Sequence, residues 1–192
     1  MEILIPGDMA FRLPAGWRCV LARLLCSLLL LLVLAPAHAG PSEYEVKAAF
    51  IHNIAKFIEW PAAPRAPNAL KFCVLGQNPF GAALVALQGK FIGGMAWEVA
   101  PAIPRNRLKE CSVLFISASE YENLNWVLND IKDSPVLTLG DTEGYAGRGV
   151  MVNFYLENGK IRFEINLESA NRAGLKVSSK LIQIGKLIST PK

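Results

Sequence analysis

Histidine is almost missing from this sequence of 192 residues: it has two, His38 and His52, and only His52 lies beyond the first 40 residues. A Ser-His-Asp triad or a histidine-rich metal site would have to be assembled around that single side chain. Flanked by Ile51 and Asn53 in a helical pattern, it reads as a structural histidine. Equally absent are a G-x-S-x-G turn, a C-x-x-C pair, an H-E-x-x-H helix and a calcium loop, which removes the common hydrolase, redox and metalloprotease signatures. Gly185-Lys186-Leu187-Ile188-Ser189 has the ending of a phosphate loop, but it lacks the upstream glycine and falls late in a helical pattern. Beyond residue 40 no apolar run approaches the roughly 18 residues that a membrane-crossing helix needs. Internal repeats and low-complexity tracts are missing too. Past residue 39, seventeen Lys and Arg face fourteen Asp and Glu, a net charge of +3 with the two signs interspersed. That gives no basic stripe for nucleic acid.

What is present begins with a targeting pattern. Arg12, Arg18 and Arg23 precede the apolar run Leu24 to Leu34, and Ala37-His38-Ala39 follows as a small-residue cleavage site. The expectation is a signal peptide over residues 1–39, with Met9 an alternative start, and a single exported domain over residues 40–192. Cys26 stands at the start of the apolar run instead of after it, which argues against a lipoprotein. Cys19 and Cys26 leave with the signal, so Cys73 and Cys111 remain. In an oxidising compartment they form either one disulfide or two separate buried thiols, and spacing alone does not choose.

Strand and helix signals then alternate. Strands are expected at Leu70 to Leu75, Met95 to Ala100, Ser112 to Ile116 and Pro135 to Leu139, and helices at Phe80 to Leu87 and Glu120 to Ile131. Pro61 to Leu70 is a connector. Strands this uniformly apolar imply a mostly parallel sheet covered on both faces. Val150 to Tyr155 and Ile161 to Ile165 flank Asn158-Gly159, a hairpin signal, after the glycine-rich loop Gly140 to Gly149. Helical spacing returns at Glu168 to Ala173 and from Ser178 to Ile188. The predicted class is α/β: a three-layer sandwich with a C-terminal β-hairpin and flanking helices.

The first stretch, Ser42 to Pro61, is helical with two apolar stripes. Val46, Ala49, Phe50, Ile54, Phe57 and Ile58 form the stronger one; Tyr44, Ala48, Ile51 and Ala55 form a weaker one, open either to cover by the last helix or to a partner. Its charge-free run, Ala48 to Ala55, is too short to span a bilayer. At the carboxyl edge of a parallel sheet, Gly76, Asn78, Ser117 and Ser119 converge beside helix N-termini, an edge suited to a small anionic or polar ligand. Asp141 and Glu143 follow the fourth strand at the same edge, as an acid/base pair, a ligand contact or simple loop polarity.

Four blocks carry a resemblance: EYEVKAAFIHNIAKFIEWP, FCVLGQNPFGAAL, ECSVLFISASE and SPVLTLGDTEGYAGRGVMVNFYLENGKIRFEINLESANRAGLKVSSKLI. In this order they closely resemble the YfiR family of exported bacterial proteins, over essentially all of Glu43 to Leu187. The resemblance implies a three-layer α/β domain in the periplasm with no enzymatic activity and no cofactor. It implies a repressor that binds the periplasmic sensor region of an inner-membrane diguanylate cyclase, tends to form a homodimer, and is released by redox state or envelope stress. Cys73 and Cys111 match the family's long-range disulfide. A second, close cysteine pair has no counterpart in Asp141 to Arg148, a departure that counts against redox sensing. The resemblance places partner or ligand contacts on the first and last helices, at Phe57, Arg172 and Lys180. The other reading of the chain is a periplasmic small-ligand binder that signals to a sensor kinase or transporter.

Overall fold

The computed structural model describes residues 40–61 and 69–190. The expected signal peptide and most of the connector after Pro61 lie outside the described residues. The chain starts with α1 (Glu43–Ala55), opened by a reciprocal capping box: Ser42 Oγ accepts from Glu45 N, and the Glu45 carboxylate accepts from Ser42 N. Two short strands, β1 (Ile58–Glu59) and β9 (Lys176–Val177), pair antiparallel as a separate ribbon.

The main sheet joins β2 (Ala69–Leu75), β3 (Phe91–Ile92), β4 (Met95–Ala100), β5 (Val113–Ile116), β6 (Leu137–Gly140), β7 (Val152–Glu157), β8 (Lys160–Ile165) and β10 (Lys186–Leu187). Among the described residues its order is β10-β8-β7-β6-β5-β2-β4-β3. The pairs β4/β2, β2/β5, β5/β6, β6/β7 and β8/β10 are parallel, while β3/β4 and the β7/β8 hairpin are antiparallel. Asn158 and Gly159 both take positive φ in the hairpin turn, as such a tight connection requires.

Period-two alternation explains the three layers. Phe72 and Val74 of β2, and Val113 and Phe115 of β5, join the core under α1. Their neighbours Cys73, Leu75, Leu114 and Ile116 point the other way, into a second core under α2 (Leu124–Ile131). The two pieces after the hairpin, α3 (Leu167–Arg172) and α4 (Ser179–Ile182), contribute Ala170 and Leu181 to the α1 side.

Three expected helices come out differently. Gly81–Leu87 and Ala118–Asn123 are 3-10 turns, and α2 starts only at Leu124. The helix expected from Ser178 to Ile188 stops after one turn. A Cβ on Gly185 would come within 2.5 Å of Ile165 Cδ1 and 2.7 Å of Phe163 Cε2, so only glycine lets the chain drop onto β8. There Ile188 N bonds Ile165 O at 2.9 Å and β10 forms.

The two stripes of α1 come out mixed: Ile54 and Ile58 of the stronger one are buried, while Tyr44 of the weaker one is only half-buried. Ala48, Ile51 and Ala55 are buried with Ile54, Ile51 completely, whereas Ala49 is exposed and Val46, Phe50 and Phe57 are half-buried. The small residues on either side of Ile51 let the helix approach the sheet closely. Phe50 is too large for that seam and packs edge-on against Phe154 and Phe163 of the hairpin instead.

His52 has a structural task. Its Nδ1 accepts from the indole Nε1 of buried Trp97 at 2.7 Å. Burial, then the charges of Lys56 and Lys90, hold the imidazole below its ordinary pKa. The native state therefore takes up this proton less readily than the unfolded chain, and the contribution is complete above about pH 6.5 and lost as pH falls through the folded value. His52→Gln keeps an acceptor for Trp97 and removes the titration. Its urea midpoint is expected to fall less than the parent's between about pH 7 and pH 5; parallel losses would show that His52 is not the titrating group.

Candidate functional site

From β2 the chain goes to β4 on one side and returns through β5 on the other. The connection after β2 packs Leu84 and Leu87 into the α1 core, and the 3-10 turn Arg105–Glu110 packs Leu108 into the α2 core. The order reverses between β2 and β5, where open α/β sheets leave a crevice beyond the strand ends. A hollow of about 270 Å³ lies there, lined by Tyr44, Gln77, Asn78, Ser117, Ser119 and Asp141.

Local chemistry fixes its walls. Asn78 Oδ1 accepts from Phe80 N at 2.9 Å. Ser117 N bonds Leu75 O at 3.0 Å, and Ser119 Oγ accepts from Gln77 N at 2.9 Å, tying the end of β5 to the end of β2. Gly76 (φ 88) sits under Ser119, where a Cβ would strike the Ser119 hydroxyl, so it shapes the crevice by close approach. Ser117 and Glu120 form no capping box: Glu120 binds Arg105 and Asn123.

The decisive side chains come from α1. Asp141 Oδ2 accepts from Tyr44 Oη at 2.9 Å and Lys47 Nζ at 2.7 Å, and Lys47 also reaches Glu43 at 2.5 Å. The Lys47 and Asp141 side chains are 5 % and 8 % exposed, so this pair is taken out of water. Burial pulls the Lys47 pKa down, but its bonds to Asp141 and Glu43 outweigh that and leave it above the usual value. Burial and the bond to Asp141 raise the Tyr44 phenol. Both donors bind Asp141 Oδ2, which gives this carboxylate a structural task, tying α1 to the loop after β6.

Across this wall lies a second hollow of about 500 Å³, lined by Glu43, Lys47, Asp141, Glu143, Asn153 and Glu164 among others. Asn153 is 2 % exposed; its amide nitrogen donates to Thr142 O, and its Oδ1 has no partner among the described residues. Its lining carries four carboxylates, of which Glu43 and Asp141 share Lys47 and Glu164 meets Lys186 at 3.2 Å, so this second hollow, unlike the crevice of Asn78, Ser117 and Ser119, is acidic and suits a donor-bearing ligand. No three His, Cys, Asp or Glu side chains among the described residues are grouped to hold a metal ion.

Of the contacts suggested by resemblance, Phe57 is half-buried and its carbonyl accepts from Ser178 N at 2.9 Å, which brings it beside the turn whose next residue but one is the exposed Lys180. Arg172 is not in either hollow described above; it lines another, with Arg148. Cys73 and Cys111 are joined at 2.05 Å and both fully buried. Tyr44 and Lys47 were not legible as site residues, because a lysine followed by two alanines reads as a solvated charge.

Asp141→Asn keeps the shape and removes the charge. Glu43 still pairs with Lys47, so the expected loss of about 2 kcal/mol lies below the 3–5 typical of a broken buried pair. Lys47→Met combined with Asp141→Leu should recover most of it, since no buried ammonium with only one of its two carboxylates is left in the seam. A double variant no more stable than Asp141→Asn in denaturant unfolding would mean the ion pair is not what holds α1 to this loop.

The fold is a three-layer α/β domain with a mostly parallel sheet and one crevice at its topological switch point. The chain belongs to the YfiR/HmsC-like family, whose sequence model matches residues 44–186. The fold resembles that of a conserved domain protein from Vibrio cholerae O1 biovar eltor str. N16961, with 12 % identity and a TM-score of 0.50 over 78 % of this chain. A weaker likeness is to the ABC domain in complex with L-Trp from Streptococcus pneumonia, 11 % identical over 65 % of this chain with a TM-score of 0.45. The chain spans 60 % of the first of those chains and 57 % of the second.

Proposed function

We propose that this chain is a periplasmic regulatory protein that represses an inner-membrane diguanylate cyclase by binding its periplasmic sensor region. The observation that carries the reading is family membership over residues 44–186, which includes α1, the crevice and the hairpin. The export pattern read in residues 1–39 supports the same compartment as such a sensor region. No helix among the described residues is long and apolar enough to cross a membrane, consistent with a partner that supplies the membrane anchor. The reading assigns the chain no reaction.

The half-exposed flank of α1, with Val46, Ala49, Asn53 and Phe57, is the surface we assign to the partner. Cross-linking the exported protein in cells and purifying it from solubilised membranes tests this. A cyclase should come with it and be lost on Ala49→Glu, an exposed change expected to alter stability by no more than about 0.5 kcal/mol. Recovery without a cyclase, or equal recovery of that variant, would contradict the assignment.

A second reading, a small-ligand binder signalling to a sensor kinase or transporter, is favoured by the 500 Å³ hollow and the idle Asn153 Oδ1. A thermal-shift screen of envelope amines separates the two.

A further inference from the structure

Another hollow, of about 110 Å³, lies between the end of α2, the turn before β7, and α3. Its charged lining is all of one sign: Lys132, Arg148 and Arg172. Arg148 is held in place without a carboxylate, donating to Tyr121 O at 3.1 Å and Asn125 Oδ1 at 3.2 Å, with its guanidinium 4.7 Å from the Tyr121 ring centroid. Arg172 meets Glu168 at 3.5 Å, with both side chains more than half exposed, a weak pairing. Lys132 is exposed and makes no ion pair among the described residues.

The neutral lining also has protons to give. Thr138 is 1 % exposed and its Oγ1 accepts from Met151 N at 3.0 Å, which leaves its own proton to donate. Thr190 Oγ1 accepts from Asn166 Nδ2 at 2.9 Å, and Ser169 adds a third hydroxyl. Gly149 lines the hollow at φ 110, a backbone conformation that side chains rarely adopt, and a Cβ there would stand in ordinary contact with Leu128 Cδ1 at 3.4 Å and Ser169 Oγ at 3.6 Å.

We propose that this hollow binds a small oxyanion, inorganic phosphate or the phosphate end of a small phosphomonoester. Guanidinium and ammonium groups donate and cannot accept, and the hydroxyls are free as donors, so the complement is an ion made of acceptors. Size narrows it further. The hollow is small and opens to solvent, which suits a compact group such as a phosphate seated among the basic side chains with any larger remainder outside. The site stands whether or not the chain regulates a cyclase, and failure of either leaves the other intact.

Calorimetric titration and thermal unfolding of the purified exported protein, at constant ionic strength, test it. Inorganic phosphate should bind saturably and raise the unfolding midpoint, and Lys132→Gln with Arg172→Gln should weaken binding about tenfold or more. Both residues are exposed, so the unliganded midpoint should hold. Binding of glycerol phosphate as tightly as phosphate identifies a monoester end, and phosphate alone identifies the free ion. A midpoint rise that sodium chloride reproduces, or that the double variant retains in full, overturns the proposal.

Discussion

Ile51→Asp is expected to leave no folded protein at 25 °C. Ile51 is completely buried on the seam between Ala48 and Ala55, against the sheet. Losing its apolar contacts costs about 2–5 kcal/mol. An unpaired carboxylate in that seam adds several more, either as desolvation or as the uptake of a proton. Together these reach into the about 5–15 kcal/mol that holds a domain of this size, enough to unfold one of ordinary, marginal stability. Ile51→Ala, carrying only the first cost, should fold with a lowered urea midpoint. Circular dichroism of the two variants decides: a folded Ile51→Asp with a midpoint near the parent's would mean that this stripe faces outward.

Replacing both disulfide cysteines with alanine is expected to cost about 4 kcal/mol, the loop-entropy value for a closed loop of 38 residues. The bridge joins β2 to the residue before Ser112, with Cα atoms 5.9 Å apart, among Leu75, Leu108, Leu114 and Ile116. Both sulfurs are out of reach of solvent, so a thiolate can attack only after local opening. The bridge should therefore resist reductant in native buffer and break quickly in denaturant. Alkylation of the unfolded exported protein without reductant should find no free thiol. Two free thiols, or rapid reduction of the native protein, would refute a purely structural bridge.

The parallel core was legible because strands such as Ser112 to Ile116 are apolar without alternation, and the hairpin because Asn158-Gly159 has few other conformations. Strand order was not, since β2 to β5 differ little in pattern and only tertiary packing selects their neighbours. The two 3-10 turns were read as helices because propensity does not report that Ser119 and Glu120 are engaged with Gln77 and Arg105. Gly185 looked like a tolerated glycine in a helix; its need for glycine comes from Ile165 and Phe163, distant in sequence. At the crevice, Asn78, Ser117, Ser119 and Asp141 could be placed together from strand ends alone. The charge balance could not, because it depends on α1 delivering Glu43 and Lys47 to Asp141.

The central claim is that this chain holds a diguanylate cyclase in its off state from outside the inner membrane. Intracellular cyclic di-GMP in a strain lacking the chain tests it most directly. The level should rise severalfold on deletion, return when the full-length chain is restored, and stay high when the chain is supplied without residues 1–39. An unchanged level on deletion, or full complementation by the form that is not exported, would contradict it.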